Sequence, residues 1–319
     1  MSLVSRLQDF FLLPSGSKPL AAFRIAFGIF AVAEVLCLRP NWLDLLGNDG
    51  IVQWVISKEL FAIQGVPHIF HVAEALLPWG LSADHTVYLV MYGYVFALIA
   101  LTFGFFTRTF AVIAWLLHIL IWNTGNLYGY GVESFTRVCL FYFVFMPVSE
   151  WWALDAPRQG TTASDSWGAT LTVRILQLHL CIVYLTSGIA KIQGVQWRDG
   201  EAMWRVLCQP GYAQFDMLWL ADIPGIFPVL AWSVLFLELG YAVLIWPAST
   251  RPFMLGGMIA MHVGIGVFMG LWGFAIVMIL MNIGAFAAGT DFSRLNVIRC
   301  FQRTSALAPS SDVQPSGSS

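Results

Sequence analysis

Residues 226–289 read IFPVLAWSVLFLELGYAVLIWPASTRPFMLGGMIAMHVGIGVFMGLWGFAIVMILMNIGAFAAG, and this stretch decides the fold. It holds three apolar runs, at about 226–247, 252–269 and 272–289, parted by only a few residues. As helix, at about 1.5 Å per residue, runs of this length cross a hydrocarbon core of roughly 30 Å. Lipid offers no hydrogen bonds to the backbone, so a spanning run of this kind has to be helical.

The pattern recurs upstream. Further apolar runs lie at about 19–38, 86–106, 108–124, 134–148 and 170–190, which makes about eight spans. Composition agrees: 58% of residues are hydrophobic and 11% are charged. A soluble domain is about a quarter charged, so this chain lacks the polar surface that water requires. Trp42, Trp79, Trp122, Trp151, Trp152, Trp197 and Trp246 sit at the ends of apolar runs, as in an interfacial aromatic belt. The fold class is therefore all-α integral membrane: a polytopic bundle of about eight transmembrane helices plus short interfacial helices. Residues 3–13 are amphipathic and suit the membrane surface. Residues 67–77 start at Pro67, stop before Pro78 and are too short to span. The division of the chain is one transmembrane domain over 1–290, a cytoplasmic amphipathic segment over 291–303 and a disordered Ser/Pro/Ala-rich tail over 304–319.

The net charge of −2 gives no electrostatic basis for binding nucleic acid, and membrane lipids are the expected surroundings. With eight spans both termini share a side. Arg6, Lys18, Arg108, Arg158, Arg251, Arg294, Arg299 and Arg303 fall on that side, and Arg39, Lys58, Lys191, Arg198 and Arg205 on the other. The positive-inside rule then predicts a multi-pass cell-membrane protein with both termini cytoplasmic and the long loops 39–85 and 191–225 facing outward.

Ionisable groups inside apolar runs are costly, so each is a functional candidate. Counting depth along each run puts His118, His179, Glu238 and His262 near the midplane. Glu34, Arg137 and Lys191 lie toward the outer ends, and Arg24 and Arg174 toward the inner ends. Glu34 and Arg137 suit a structural ion pair. Arg24 and Arg174 suit snorkelling to the inner interface. His179, Glu238 and His262 suit either interhelical hydrogen bonding or, in a transporter, a proton relay. On 67–77, His68, His71 and Glu74 recur in steps of three and so share one broad helical face. Two imidazoles and a carboxylate form a candidate divalent-metal set, though the plain reading is the wet side of an interfacial helix, and no metal cofactor is expected.

Residues 174–203, RILQLHLCIVYLTSGIAKIQGVQWRDGEAM, resemble the central segment of the HTTM family, which takes in the transmembrane part of vitamin K-dependent gamma-carboxylase. AAFRIAFGIF (21–30), LLGNDGIV (45–52), NLYGYGVESFTRVCLFYFVFMP (126–147) and MHVGIGVFMGLWGFAIVMI (261–279) resemble further family segments, in the family's order. The resemblance reaches to about residue 290.

The resemblance implies a quinol-dependent oxygenase or carboxylase-like activity. In the carboxylase a lysine within SG-x-x-K, ahead of a Trp, is the base that deprotonates vitamin K hydroquinone. The matching position is Lys191, between Ser187 and Trp197. The cofactor implied is reduced vitamin K or menaquinol, with His179, Trp197, Glu238 and His262 as residues to surround it. A lysine at the rim of an apolar bundle loses hydration, which favours its neutral, basic form. The carboxylase's histidine before its LYG-like segment has no counterpart, since Asn123-Thr124-Gly125-Asn126 stand there. Its large domain for protein substrates also has none, so a separate substrate protein is an expected partner. The alternative reading is a non-catalytic membrane module that binds a lipid or quinone, or scaffolds a partner.

Overall fold

The computed structural model describes residues 2–60, 66–125, 129–156 and 165–289. The segments expected at 291–303 and 304–319 lie outside the described residues. In chain order the helices are α1 (Leu3–Leu12), α2 (Lys18–Cys37), α3 (Trp42–Leu46), α4 (Trp54–Leu60), α5 (Ile69–Leu76), α6 (Ala83–Phe103) and α7 (Thr107–Thr124). They continue with α8 (Val132–Phe145), α9 (Trp167–Gln193), α10 (Val195–Arg198), α11 (Glu201–Cys208), α12 (Ile226–Leu244), α13 (Arg251–Met269) and α14 (Trp272–Phe286). Among the described residues the only β feature is an isolated bridge between Ser15 and Ser166.

Among the described residues, five helices, α2, α6, α9, α12 and α13, are long and apolar enough to cross a membrane. The other three expected spans fall short of that measure for physical reasons. α8 has 14 residues and α14 has 15. At about 1.5 Å per residue both are shorter than a core of roughly 30 Å. α7 has 18 residues, but Thr107, Arg108, Thr109, His118, Asn123 and Thr124 dilute its apolar character.

The spanning helices end where the sequence signals it. Ser82 Oγ accepts the His85 amide hydrogen at the start of α6, and Gly104 closes α6 in the left-handed region at φ +70. Gly270 does the same after α13 at φ +71. Only glycine adopts that conformation without strain.

α14 is the centre of the bundle. It packs against α13, α9, α2 and α8, joining a row formed by α2, α6, α7 and α8 to a row formed by α9, α12 and α13. Its contact side buries Ala275, Val277, Met278, Met281, Asn282, Ala285 and Phe286. A short helix serves here because neighbours, not lipid, cover most of it. Large apolar side chains such as Phe96, Ile182, Val229, Phe236 and Val243 face outward, as a lipid-facing surface requires.

Arg24 departs from its expected place. It does not snorkel to the interface but is fully buried. Its Nη1 donates to Val148 O at 2.8 Å and its Nη2 to Trp152 O at 2.5 Å. The guanidinium thus ties α2 to the turn that follows α8, whose carbonyls have no helical partner. Arg174 is half-buried and pins the surface helix instead. It donates from Nε to Phe10 O at 3.0 Å and stacks 4.3 Å over the Phe10 ring. Replacing Arg24 with Met leaves the buried Val148 carbonyl and the part-buried Trp152 carbonyl without this partner and should lower stability by about 2 kcal/mol. Unfolding of the detergent-solubilised protein, by heat or by denaturing detergent, measures it.

Candidate functional site

The site forms where α9, α10 and α12 meet. Along α9, Tyr184, Ser187, Gly188 and Lys191 fall at helical spacings of three and four and so share one face. That face looks onto α12, and Gly188 allows the approach. A Cβ on Gly188 would stand 2.8 Å from Leu239 Cδ2 and 3.2 Å from Glu238 Cβ, both tighter than ordinary contact. One turn further on, Lys191 Nζ donates to Glu238 Oε1 at 2.5 Å and to Ser187 Oγ at 2.8 Å. The same ammonium lies 5.2 Å from the Trp197 ring centre, a cation–π contact from α10. The Glu238 side chain is 5% exposed and that of Lys191 25%. A carboxylate this deep requires a charged partner, and the amine reaches it from the more open side.

Half of the carboxylate stays unused. Glu238 Oε2 is buried and has no hydrogen-bond partner, and His262 Nδ1 is in the same condition. His262 Nε2 lies 2.9 Å from the Tyr184 hydroxyl. Asn282 of α14 donates from Nδ2 to that hydroxyl at 2.6 Å and accepts the Tyr241 hydroxyl hydrogen at 2.7 Å. Tyr184 shares its face of α9 with Lys191, so the two groups of residues meet along that face. Beside it, the exposed side of α12 presents an open, largely apolar surface formed by Pro228, Val229, Trp232, Ser233, Phe236 and Leu237. Trp232 Nε1 donates to Arg198 O at 3.1 Å, which fixes α10 against this wall.

The family model described as the HTTM domain matches residues 13–287, which take in every spanning helix and the whole of this site. The chain belongs to the HTTM family. No curated protein and no solved structure matches it.

Of the residues singled out in the sequence, this HTTM domain brings together Lys191, Trp197 and Glu238, with His262 joined to them through Tyr184. His179 stands apart. It lies twelve residues before Lys191, about 120° around the helix, and its Nδ1 pairs with the Tyr142 hydroxyl of α8 at 2.7 Å. The relay of His179, Glu238 and His262 is therefore not assembled. His118 is also structural: Nδ1 lies 2.9 Å from the Tyr94 hydroxyl and Nε2 2.9 Å from Glu133 O.

Two expectations are corrected. Among the described residues, the ion pairs are Lys58–Glu74, Lys191–Glu238 and Arg205–Glu201, and Glu34 and Arg137 do not pair. Glu34 faces α14, where a Cβ on Gly273 would stand 2.8 Å from its Oε1 and 2.6 Å from the Tyr130 hydroxyl. Arg137 lies one turn beyond Glu133 on α8.

His68, His71 and Glu74 form no metal-holding group among the described residues. His68 is the extended residue before α5, not part of it, so the three do not share a helical face. Its Nδ1 lies 2.9 Å from Val66 O, its amide donates to His71 Nδ1 at 3.2 Å, and burial lowers its pKa. Glu74 pairs with Lys58 at 2.5 Å, and that hydrogen bond and charge hold its carboxyl below the usual range.

Ser187, Tyr184, Asn282 and Tyr241 were not singled out from the sequence. Ser187 and Tyr184 were within reach, being one and two turns before Lys191 on its own face. Filling the contact at Gly188 tests the geometry. Gly188→Val should cost about 1–3 kcal/mol by overpacking and part Lys191 from Glu238. Thermal unfolding reads the first effect, and loss of a cross-link between cysteines placed at Lys191 and Glu238 reads the second.

Proposed function

We propose that this HTTM protein is a quinol-dependent oxygenase with carboxylase-like chemistry, and that the Lys191–Glu238 pair is its base. The observation that carries the reading is the buried pair whose outer oxygen, Glu238 Oε2, has no partner. A buried acceptor left open is rare, and it suits a ligand that brings a hydroxyl hydrogen. When bound, reduced vitamin K or menaquinol supplies that hydroxyl and, with oxygen, the oxidising power for attack on an acid that then takes up carbon dioxide.

The pair handles one proton. It starts as ammonium and carboxylate. A hydroxyl hydrogen passed to the pair would rest on Glu238 Oε2 with Lys191 still an ammonium and the total charge unchanged, and the positive Nζ would favour negative charge nearby in a low-dielectric interior. Ser187 and Trp197 hold Nζ in place for that role. The open apolar surface of α12 suits an isoprenoid tail approaching from the bilayer. The protein substrate is a separate chain, and the termini face the cytoplasm with this site toward the outer side.

A second reading has its own support. Glu238, Ser187 and Trp197 occupy the three sides of the Lys191 ammonium, as in a structural lock. On that reading the domain binds a lipid or quinone without turning it over.

Epoxidation of menaquinol by purified protein in nanodiscs, with oxygen and bicarbonate, separates the two. Lys191→Ala and Glu238→Gln should each abolish product. Lys191→Met/Glu238→Leu removes both charges together, so it should keep the fold that either single change strains by about 3–5 kcal/mol and still give no epoxide. Product from the folded double variant overturns the role of the pair. Quinone retained by the wild type with no product favours the second reading.

A further inference from the structure

The hydrogen bonds around His262 fix which of its nitrogens carries a hydrogen. Met278 O can only accept, and it takes a hydrogen from Asn282 Nδ2 at 2.9 Å, which orients the amide. The Asn282 oxygen then accepts from the Tyr241 hydroxyl at 2.7 Å, and the second Nδ2 hydrogen goes to the Tyr184 hydroxyl at 2.6 Å. The Tyr184 hydroxyl, receiving there, has His262 Nε2, 2.9 Å away, as its other hydrogen-bond partner and so as the acceptor for its own hydrogen. Nε2 is thus an acceptor. With Nε2 accepting, the ring carries its hydrogen on Nδ1, and that N–H is buried within a residue 2% exposed and has no acceptor.

We propose that His262 Nδ1–H is a specificity-determining donor that holds an acceptor oxygen of the ligand while Glu238 Oε2 accepts the ligand's hydroxyl hydrogen. The assignment rests on the reading of the site as a quinol site and deepens it. Of the buried polar atoms without a partner among the described residues, His262 Nδ1 and Glu238 Oε2 are the two that belong to this site, so the headgroup it selects carries both an acceptor oxygen and a hydroxyl. Nothing apolar satisfies either group, and leaving them open in an apolar bundle is unfavourable. His262 acts on the ligand directly, whereas Tyr184, Asn282 and Tyr241 are positioning residues that set its tautomer.

The probe is menaquinone with a four-isoprene tail, reduced anaerobically and bound to the full chain in nanodiscs. His262→Leu removes the donor and should weaken binding about tenfold. His262→Asn places an amide N–H near the Nδ1 position and should restore most of it. A naphthalene with the same tail but no oxygens should bind all three proteins alike. Nitrogen-15 spectra of histidine-labelled protein should show His262 protonated on Nδ1, with Nδ1 and not Nε2 shifting on addition of the probe. Equal binding of the reduced probe by wild type and His262→Leu overturns the assignment and leaves the proposed function standing. So does a ring protonated on Nε2, whether or not the leucine variant folds. Failure of the wild type to bind the probe overturns both.

Discussion

Glu238 puts a carboxylate into the interior of an apolar bundle, and the rest of the site follows from neutralising it. An unpaired charge at such a depth is unfavourable by several kcal/mol, so a cation has to come within hydrogen-bond distance. Lys191 is that cation, and it comes from a different helix. The pair therefore needs α9 and α12 to run close together, and a glycine at 188 supplies the room. Ser187, one turn before Lys191, and Trp197, just beyond the end of α9, then hold the amine on its remaining sides. A charge that only had to be tolerated would be better removed. One that is held this closely, with an oxygen of its partner left open, suits chemistry at that oxygen.

The architecture has the same logic at larger scale. α14 is too short to serve as an ordinary span, yet it is the helix against which both rows of the bundle pack. Asn282 sits on its buried side and binds Tyr184 and Tyr241, so the central helix is linked to α9 and α12 by polar contacts as well as by packing. Apolar side chains drive no association within lipid, where tails are as apolar as leucine, and hydrogen bonds of this kind set which faces meet. Arg24 does equivalent work at another end of the molecule, where it satisfies carbonyls released by the end of α8.

Much of this was legible in the sequence. The apolar runs gave the long helices within a few residues, because run length and helix ends depend on local composition alone. Depth along a run was also legible, and it marked Glu238 and His262 as interior. What depth omits is direction around the helix and the identity of the neighbour. His179 has the right depth and the wrong side, so it meets Tyr142. Glu34 and Arg137 have compatible depths but face different partners, and Lys191 pairs with a residue 47 positions away that no local pattern connects to it. The spacing of His68, His71 and Glu74 misled for another reason: the helix begins one residue after His68, and a helical face includes only residues inside the helix. The family resemblance selected Lys191, and the structure added the partners that give the lysine its setting.

Everything at the site turns on Lys191 and Glu238 forming a direct, buried ion pair. Solid-state NMR of the protein in lipid, with nitrogen-15 in lysine side chains and carbon-13 in glutamate carboxyls, measures it. The account predicts a dipolar coupling between Lys191 Nζ and the Glu238 carboxyl carbon as strong as a direct hydrogen bond gives, at an ammonium nitrogen shift, and lost in Glu238→Gln. A Lys191 nitrogen with no such coupling, exchanging freely with water, would contradict it.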